Sequence, residues 1–176
     1  MDKTEKLCHD GYCRDGAFMV IFCENKITKY FLLGKRKDDN LWELLGGGFD
    51  VRDNNPKNAA VREVYEEGGI SFEATSRVVF FAHMVQKVPR LGEGEMGHVF
   101  FFYKKVPVSF LKMEFNPSEE STEVRWHSLE EILAMGESEY RTSTLRTILR
   151  FLRYREEKEV QFGVLREKVR FNGYEF

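Results

Sequence analysis

Arg62-Glu63-Val64-Tyr65-Glu66-Glu67-Gly68-Gly69-Ile70 is the stretch whose reading decides the fold. It sets three carboxylates and an arginine in one short run that closes on glycine. Pro56 suits the first position of a helix, because its locked φ fits there and its missing N–H would have had no partner, and Asn55 before it can cap. Gly68 and Gly69 supply the left-handed conformation that closes helices. The spacing therefore predicts a helix from about Pro56 to about Glu67. On a helical wheel Ala60, Val61, Val64 and Tyr65 share one side, and Glu63, Glu66 and Glu67 gather on nearly the opposite one. One face is expected to pack and the other to be acidic. Glutamates at i, i+3 and i+4 repel one another by a few tenths of a kcal/mol per pair, a strain that a divalent cation relieves. Hard oxygen ligands favour Mg²⁺ or Mn²⁺. A plain solvated acidic face, with Arg62 paired to Glu66, is the alternative.

The residues upstream decide between the two. Trp42-Glu43-Leu44-Leu45-Gly46-Gly47-Gly48-Phe49-Asp50 precedes the helix. The segment from Gly47 to Ile70 resembles the signature of the Nudix hydrolases, G-x5-E-x7-R-E-U-x-E-E-x-G-U with U aliphatic. Its second half fits at every fixed position, a coincidence expected on the order of once in 10⁵ chains of average composition. Its first half departs at one place. Counting back from Arg62 puts Gly48 at the signature glycine and Asn54 where a glutamate is expected; counting forward from Gly47 puts Asp53 there. Neither is glutamate, and Asp50 or Asp53 is available to compensate.

The resemblance implies an α/β (α+β) fold, an α/β/α sandwich with a mixed β-sheet, over about Ala17 to Arg153. The local patterns agree. Ala17 to Cys23 and Lys29 to Leu33 read as strands of a hairpin turning at Glu24-Asn25-Lys26, and Val78 to Val85 and Gly97 to Lys105 as two longer strands. Val99-Phe100-Phe101-Phe102-Tyr103 is apolar on both sides, as in a strand covered on both faces. Glu123 to Trp126 reads as a short strand, and Ser128 with Glu131 forms a capping box for the helix after it. Arg141 to Tyr154 carries Leu145, Ile148, Leu149 and Leu152 at helical spacing. We divide the chain into an N-terminal extension (1–16), a hydrolase domain (17–155) and a tail (156–176). In the tail Val160 to Leu165 and Val169 to Phe171 are expected to form a strand or hairpin, as a dimer contact or as a cover over the domain.

The whole chain narrows the setting. Its 176 residues suit one domain, and a net charge of −2 with a pI near 6.1 advertises no polyanion partner. Cys8, Cys13 and Cys23 make no even framework and no zinc site, and His9 is incidental. No apolar run approaches the roughly 18 residues needed to span a bilayer. The expected protein is a reduced, cytoplasmic enzyme. His83 and His98, in strands beside large apolar residues, read as core residues, and His127 as the edge of a helix cap.

Diphosphate hydrolysis needs charge neutralisation, a water in line with one phosphorus and a base for its proton. The resemblance implies Glu66 and Glu67 as metal ligands, with Glu63 as ligand or base and the carbonyl of Gly47 or Gly46 as a further donor. It implies that Arg62 holds the glutamates, since a guanidinium is a poor base and a good fork for carboxylates. A further catalytic carboxylate is expected from Glu119, Glu120 or Glu123, with Glu120 preferred because Glu123 should already lie on the strand. The expected substrate is a nucleoside diphosphate linked to another group, an NTP-like or nucleotide-sugar-like small molecule. Arg36, Lys37, Lys87 and Arg90 are candidates for phosphate contacts. Arg146, Arg150, Arg153 and Arg155 could steer an RNA 5′ end. A catalytically weak nucleotide-binding regulatory module is the second functional class, motivated by the missing glutamate and the shifted glycine loop.

Overall fold

Two apolar layers pack on either side of one mixed sheet, and the alternation of strand β3 assigns residues to each. The computed structural model describes residues 8–9, 12–13, 15–50, 52–72, 77–87, 96–117 and 119–171. The strands are β1 (Cys8–His9), β2 (Tyr12–Cys13), β3 (Gly16–Glu24), β4 (Lys29–Arg36), β5 (Trp42–Glu43), β6 (Leu45–Gly48), β7 (Val79–Lys87), β8 (Met96–Lys105) and β9 (Ser121–Ser128). The α-helices are α1 (Pro56–Gly68), α2 (Leu129–Met135) and α3 (Thr142–Phe171). From β3, Ala17, Met19, Ile21 and Cys23 meet Ala59, Ala60 and Val64 of α1. Val20 and Phe22 meet Ile132 of α2 and Ile148 and Phe151 of α3 on the other side. This is the period of two that puts successive side chains on opposite faces.

The order across the sheet is β5-β4-β3-β8-β7, with β8 parallel to β3 and the other pairings antiparallel. β3 and β4 pair only near their hairpin end, from Phe22↔Phe31 to Glu24↔Lys29. Beyond that they separate; β6 pairs with the start of β3 and β9 with β4. This brings Gly47 opposite Ala17, and Ala17 opposite Phe100.

Helix α1 forms as its caps predict. Asn55 accepts a hydrogen bond from the Asn58 N–H at 3.0 Å, Pro56 follows, and Gly69 ends the helix at φ 66°. Its faces are rotated from the wheel expectation. Tyr65 is 60% exposed, whereas Glu67 is 6% exposed. The helix packs on β6 as well as on β3, so the buried stripe runs through Ala60, Val64 and Glu67.

Three other expectations change. Chain 156–171 continues α3 rather than forming a strand or hairpin, and residues 172–176 lie outside the described residues. The buried stripe of α3 is Thr144, Thr147, Ile148 and Phe151, while Leu149 faces outward. Phe151 fills this layer, its ring centroid 4.9 Å from that of Phe22 and 5.2 Å from that of Tyr103. The histidines also exchange places. His83 is exposed and stacks on His98 with ring nitrogens 2.9 Å apart, on the face of Phe100. His127 is fully buried, edge-on to Trp42 at 4.3 Å, and burial pushes its pKa down to about 4. Among the described residues no helix is long and apolar enough to cross a membrane.

Candidate active site

Arg62 organises the acidic face of α1. All five of its N–H donors are taken: Nε and Nη2 grip Asp53 Oδ1 and Oδ2, each at 2.9 Å; Nη1 reaches Glu63 at 2.9 Å and Glu66 at 2.7 Å; Nη2 also reaches the Gly48 carbonyl at 2.9 Å. The hydrogen bond to Asp53, with the charges of Glu63 and Glu66, holds its proton more firmly than usual. The aspartate is 4% exposed. A buried carboxylate gripped through both oxygens is stable only while its partner is present.

Asp53 thus occupies the place where the signature has glutamate, and the count forward from Gly47 is the one the chain follows. The surplus residue before Arg62 is absorbed at Asn54, which is left-handed at φ 60° and exposed. Asp50 plays a different part. Its backbone N–H donates to Asp53 at 2.7 Å, and its carboxylate takes Arg52.

Glu67 points under the glycine strand, where it accepts the Gly46 N–H at 2.8 Å. Burial, then the charges of Glu43 and Glu63, push its pKa up to about 8 against the opposing effect of that N–H and of Arg36. Glu63 is raised as well, by burial and by the charges of Glu66 and Glu120, although Arg62 opposes this. Gly47 cannot be another residue without displacing it, because a Cβ there would lie 2.7 Å from the Glu63 carboxyl carbon. Gly46, at φ 152°, has no room either; its Cβ would meet the Ala17 carbonyl oxygen at 2.4 Å.

A second arginine closes the site from β4. Arg36 Nη1 binds Glu120 at 2.8 Å and stands 3.7 Å from Glu67, while Nε is 3.3 Å from Glu43. Glu120 therefore reaches the α1 carboxylates from the segment before β9, whereas Glu123 pairs with Arg125. Glu43 is 7% exposed, and burial pushes its pKa up to about 7 despite Arg141 and Arg36. Arg141, just before α3, holds it at 3.2 Å and also binds Asp39 and Asp38. The structure thus brings Glu63, Glu66, Glu67, Arg62, Gly47 and Glu120 together. Glu43 and Arg141 had no role assigned from sequence. The available signal was Glu43 itself, an acid between Trp42 and Leu44 in an apolar run, since a buried charge must find a partner.

The donor set suits a hard divalent cation: carboxylate oxygens in excess of arginines, raised in pKa partly by one another's charge. Among the described residues no three His, Cys, Asp or Glu side chains are grouped to hold an ion in their present rotamers. Arg62 and Arg36 engage four of the glutamates in that arrangement.

The chain belongs to the NUDIX domain family, whose model matches residues 14–147. A Bacillus subtilis (strain 168) protein provisionally named 8-oxo-dGTP diphosphatase is 38% identical over 63 residues, 36% of this chain and 40% of that protein. The match therefore spans less than half of that relative's length. Among solved structures, the NUDIX domain of Shewanella oneidensis NrtR in complex with ADP ribose aligns with TM-score 0.65 and 14% identity, over 87% of this chain and 92% of that one. A Caenorhabditis elegans Ap4A hydrolase aligns with TM-score 0.52 and 21% identity, over 78% and 97%. A NUDIX hydrolase from Nitrosomonas europaea gives TM-score 0.58 and 20% identity, over 78% and 87%. At these identities the structures attest to the fold, and the sandwich expected from the sequence is the one observed. The Bacillus subtilis relative is named as a diphosphatase and two of the structures as hydrolases, whereas the NrtR domain carries no enzyme name.

Proposed function

We propose that the chain is a divalent-cation-dependent pyrophosphohydrolase acting on a nucleoside diphosphate linked to another group. The observation that carries this is the convergence of Glu63, Glu66, Glu67 and Glu120 beside the Gly46–Gly47 backbone, held by Arg62 and Arg36. In this reading Glu63, Glu66, Glu67 and the carbonyl of Gly47 would hold Mg²⁺ or Mn²⁺. Such a cation, when bound, supplies neutralisation of phosphate charge and a more acidic water. The chain's own part is to orient and to move a proton. Arg62 fixes the two glutamates it binds. Glu120, on a separate segment and bound by Arg36, would take the proton of the attacking water. The water oxygen bonds to one phosphorus, the bridging oxygen leaves on the other phosphate, and the proton passes to the carboxylate.

The nucleoside is assigned to the cavity between the sheet and α3, where Phe101 and Met84 line the space and Glu43 marks its end nearest Arg36. The grip of Arg62 on Asp53, where the signature has glutamate, supports the hydrolase reading over the regulatory module. The free, buried thiol of Cys23 suits a reducing compartment.

The test is a panel of dNTPs with 8-oxo-dGTP, ADP-ribose, diadenosine tetraphosphate, NADH and 5′-triphosphate RNA, in Mg²⁺ or Mn²⁺ and in chelator, with products separated by mass. Metal-dependent cleavage at a diphosphate is expected. Saturable binding of a nucleotide without turnover of any would replace the hydrolase with the regulatory module.

A further inference from the structure

The cavity between the sheet and α3 has two chemically different ends. One end is lined by Glu43 with Phe18 and Thr144. The other, of about 390 Å³, is lined by Met84, Phe101 and Thr147 and flanked by Arg146 and Arg150. The two parts share Met84, Gln86, Phe101 and Ser143, so they form one trough along α3. That volume lies within the roughly 300–1,000 Å³ of small-molecule sites.

Arg146 and Arg150 differ from most of the described arginines of the domain, and unlike Arg77, which is also unpaired among the described residues, they line this cavity. Arg36, Arg52, Arg62, Arg125, Arg141, Arg153 and Arg155 each pair with a carboxylate. Arg146 and Arg150 pair with none among the described residues. They stand four apart on one helix, where like charges repel by a few tenths of a kcal/mol, and they border a trough with an apolar floor. Of the four basic residues that the sequence placed along this helix, Arg153 pairs with Glu157, and Arg155 stands 3.6 Å from Glu24, which also binds Lys105. The other two, Arg146 and Arg150, stand on the cavity wall. At 1.5 Å per residue, Arg146 and Arg150 lie roughly 3 and 9 Å farther along α3 than Thr144 at the Glu43 end. That is about the reach of a nucleoside.

We propose that the ligand of this trough carries a second anionic group on its nucleoside, a phosphate on the ribose, which Arg146 and Arg150 bind while the diphosphate lies at the glutamates. The inference rests on the nucleotide hydrolase reading and narrows its substrate class to ribose-phosphorylated nucleoside diphosphates. Two guanidiniums on one phosphate give charge-assisted hydrogen bonds that the unphosphorylated analogue cannot make.

The test is calorimetric and needs no turnover. The full chain is titrated with the four ribonucleoside 5′-monophosphates, their 2′,5′- and 3′,5′-bisphosphates, and the corresponding 5′-phosphorylated dinucleotides. One bisphosphate is expected to bind about tenfold or more tightly than its monophosphate. The double substitution Arg146→Gln with Arg150→Gln, on exposed positions, should abolish that difference and leave monophosphate affinity unchanged. Equal binding of mono- and bisphosphates overturns this inference and leaves the hydrolase reading standing. Tighter binding of a dinucleotide than of any bisphosphate would assign the anion to a nucleic-acid chain and overturn the small-molecule form. Binding of none, together with no turnover in the substrate panel, would overturn both readings.

Discussion

The two faces of the sheet are stabilised in opposite ways. On the α1 face carboxylates, buried at Asp53 and exposed at Glu66 and Glu120, are held by arginines whose donors are committed: Arg62 to Asp53, Glu63, Glu66 and Gly48, and Arg36 to Glu120. On the α3 face the sheet is held by aromatic packing around Phe151, and Arg146 and Arg150 are uncommitted. Charge is paired where it must hold a geometry. It is left unpaired where a ligand of opposite charge can supply the partner. The first face is thus rigid and expensive to disturb, and the second is open to specificity.

The largest expected break in this contrast is Arg62→Leu. It leaves Asp53 as a buried, uncompensated charge, and a loss of about 3–5 kcal/mol is expected in urea denaturation. A change below 1 kcal/mol would mean that the pair does not organise the face. Next is Glu43, whose pKa is near 7 in the folded chain against 4.5 free. Between those values the unfolded chain has released its proton and the folded chain retains it, so this group's contribution to stability falls as pH rises. In chelator, the wild type is expected to lose up to about 3 kcal/mol more than Glu43→Gln between pH 4.5 and 7. Parallel pH profiles for the two proteins would show that Glu43 is not held protonated. His127, with its pKa near 4, acts in the opposite direction, and the difference between the two proteins cancels it. The smallest effect is Asn54→Glu. Asn54 is left-handed and exposed, and its side chain only touches the Arg52 carbonyl, so the change should cost roughly 1 kcal/mol and leave the metal requirement where it was. A lowered Mg²⁺ requirement would show that residue 54, not Asp53, is the position that matters.

Much of this was legible in sequence because the signals were local. Asn55, Pro56 and Gly69 bound α1 by their own backbone preferences, and Ser128 with Glu131 caps α2 by the predicted reciprocal bonds. What escaped depended on where elements meet. A helical wheel separates Tyr65 from Glu67 but cannot say that β6 lies over the glutamate side. Spacing alone left Asp53 and Asn54 equivalent; the grip of Arg62 on buried Asp53 and the left-handed turn at exposed Asn54 distinguish them. Glu43 and Arg141 are 98 residues apart and meet through the fold. In the tail, Val160 to Leu165 and Val169 to Phe171 read as a strand or hairpin, yet the helix continues through them. A helix already nucleated by the packed turn at Ile148 and Phe151 extends at little cost per residue, even across one glycine at about 1 kcal/mol.

The central claim is that the carboxylates of α1 carry out diphosphate hydrolysis. Its most direct test is the turnover number of Glu67→Gln, on whichever substrate the wild type cleaves in saturating Mg²⁺, with the unfolding midpoint measured alongside. The amide oxygen can still accept the Gly46 N–H, so the fold should be retained, while kcat is expected to fall by roughly three orders of magnitude. An unchanged kcat in a folded Glu67→Gln protein would contradict the assignment of the site.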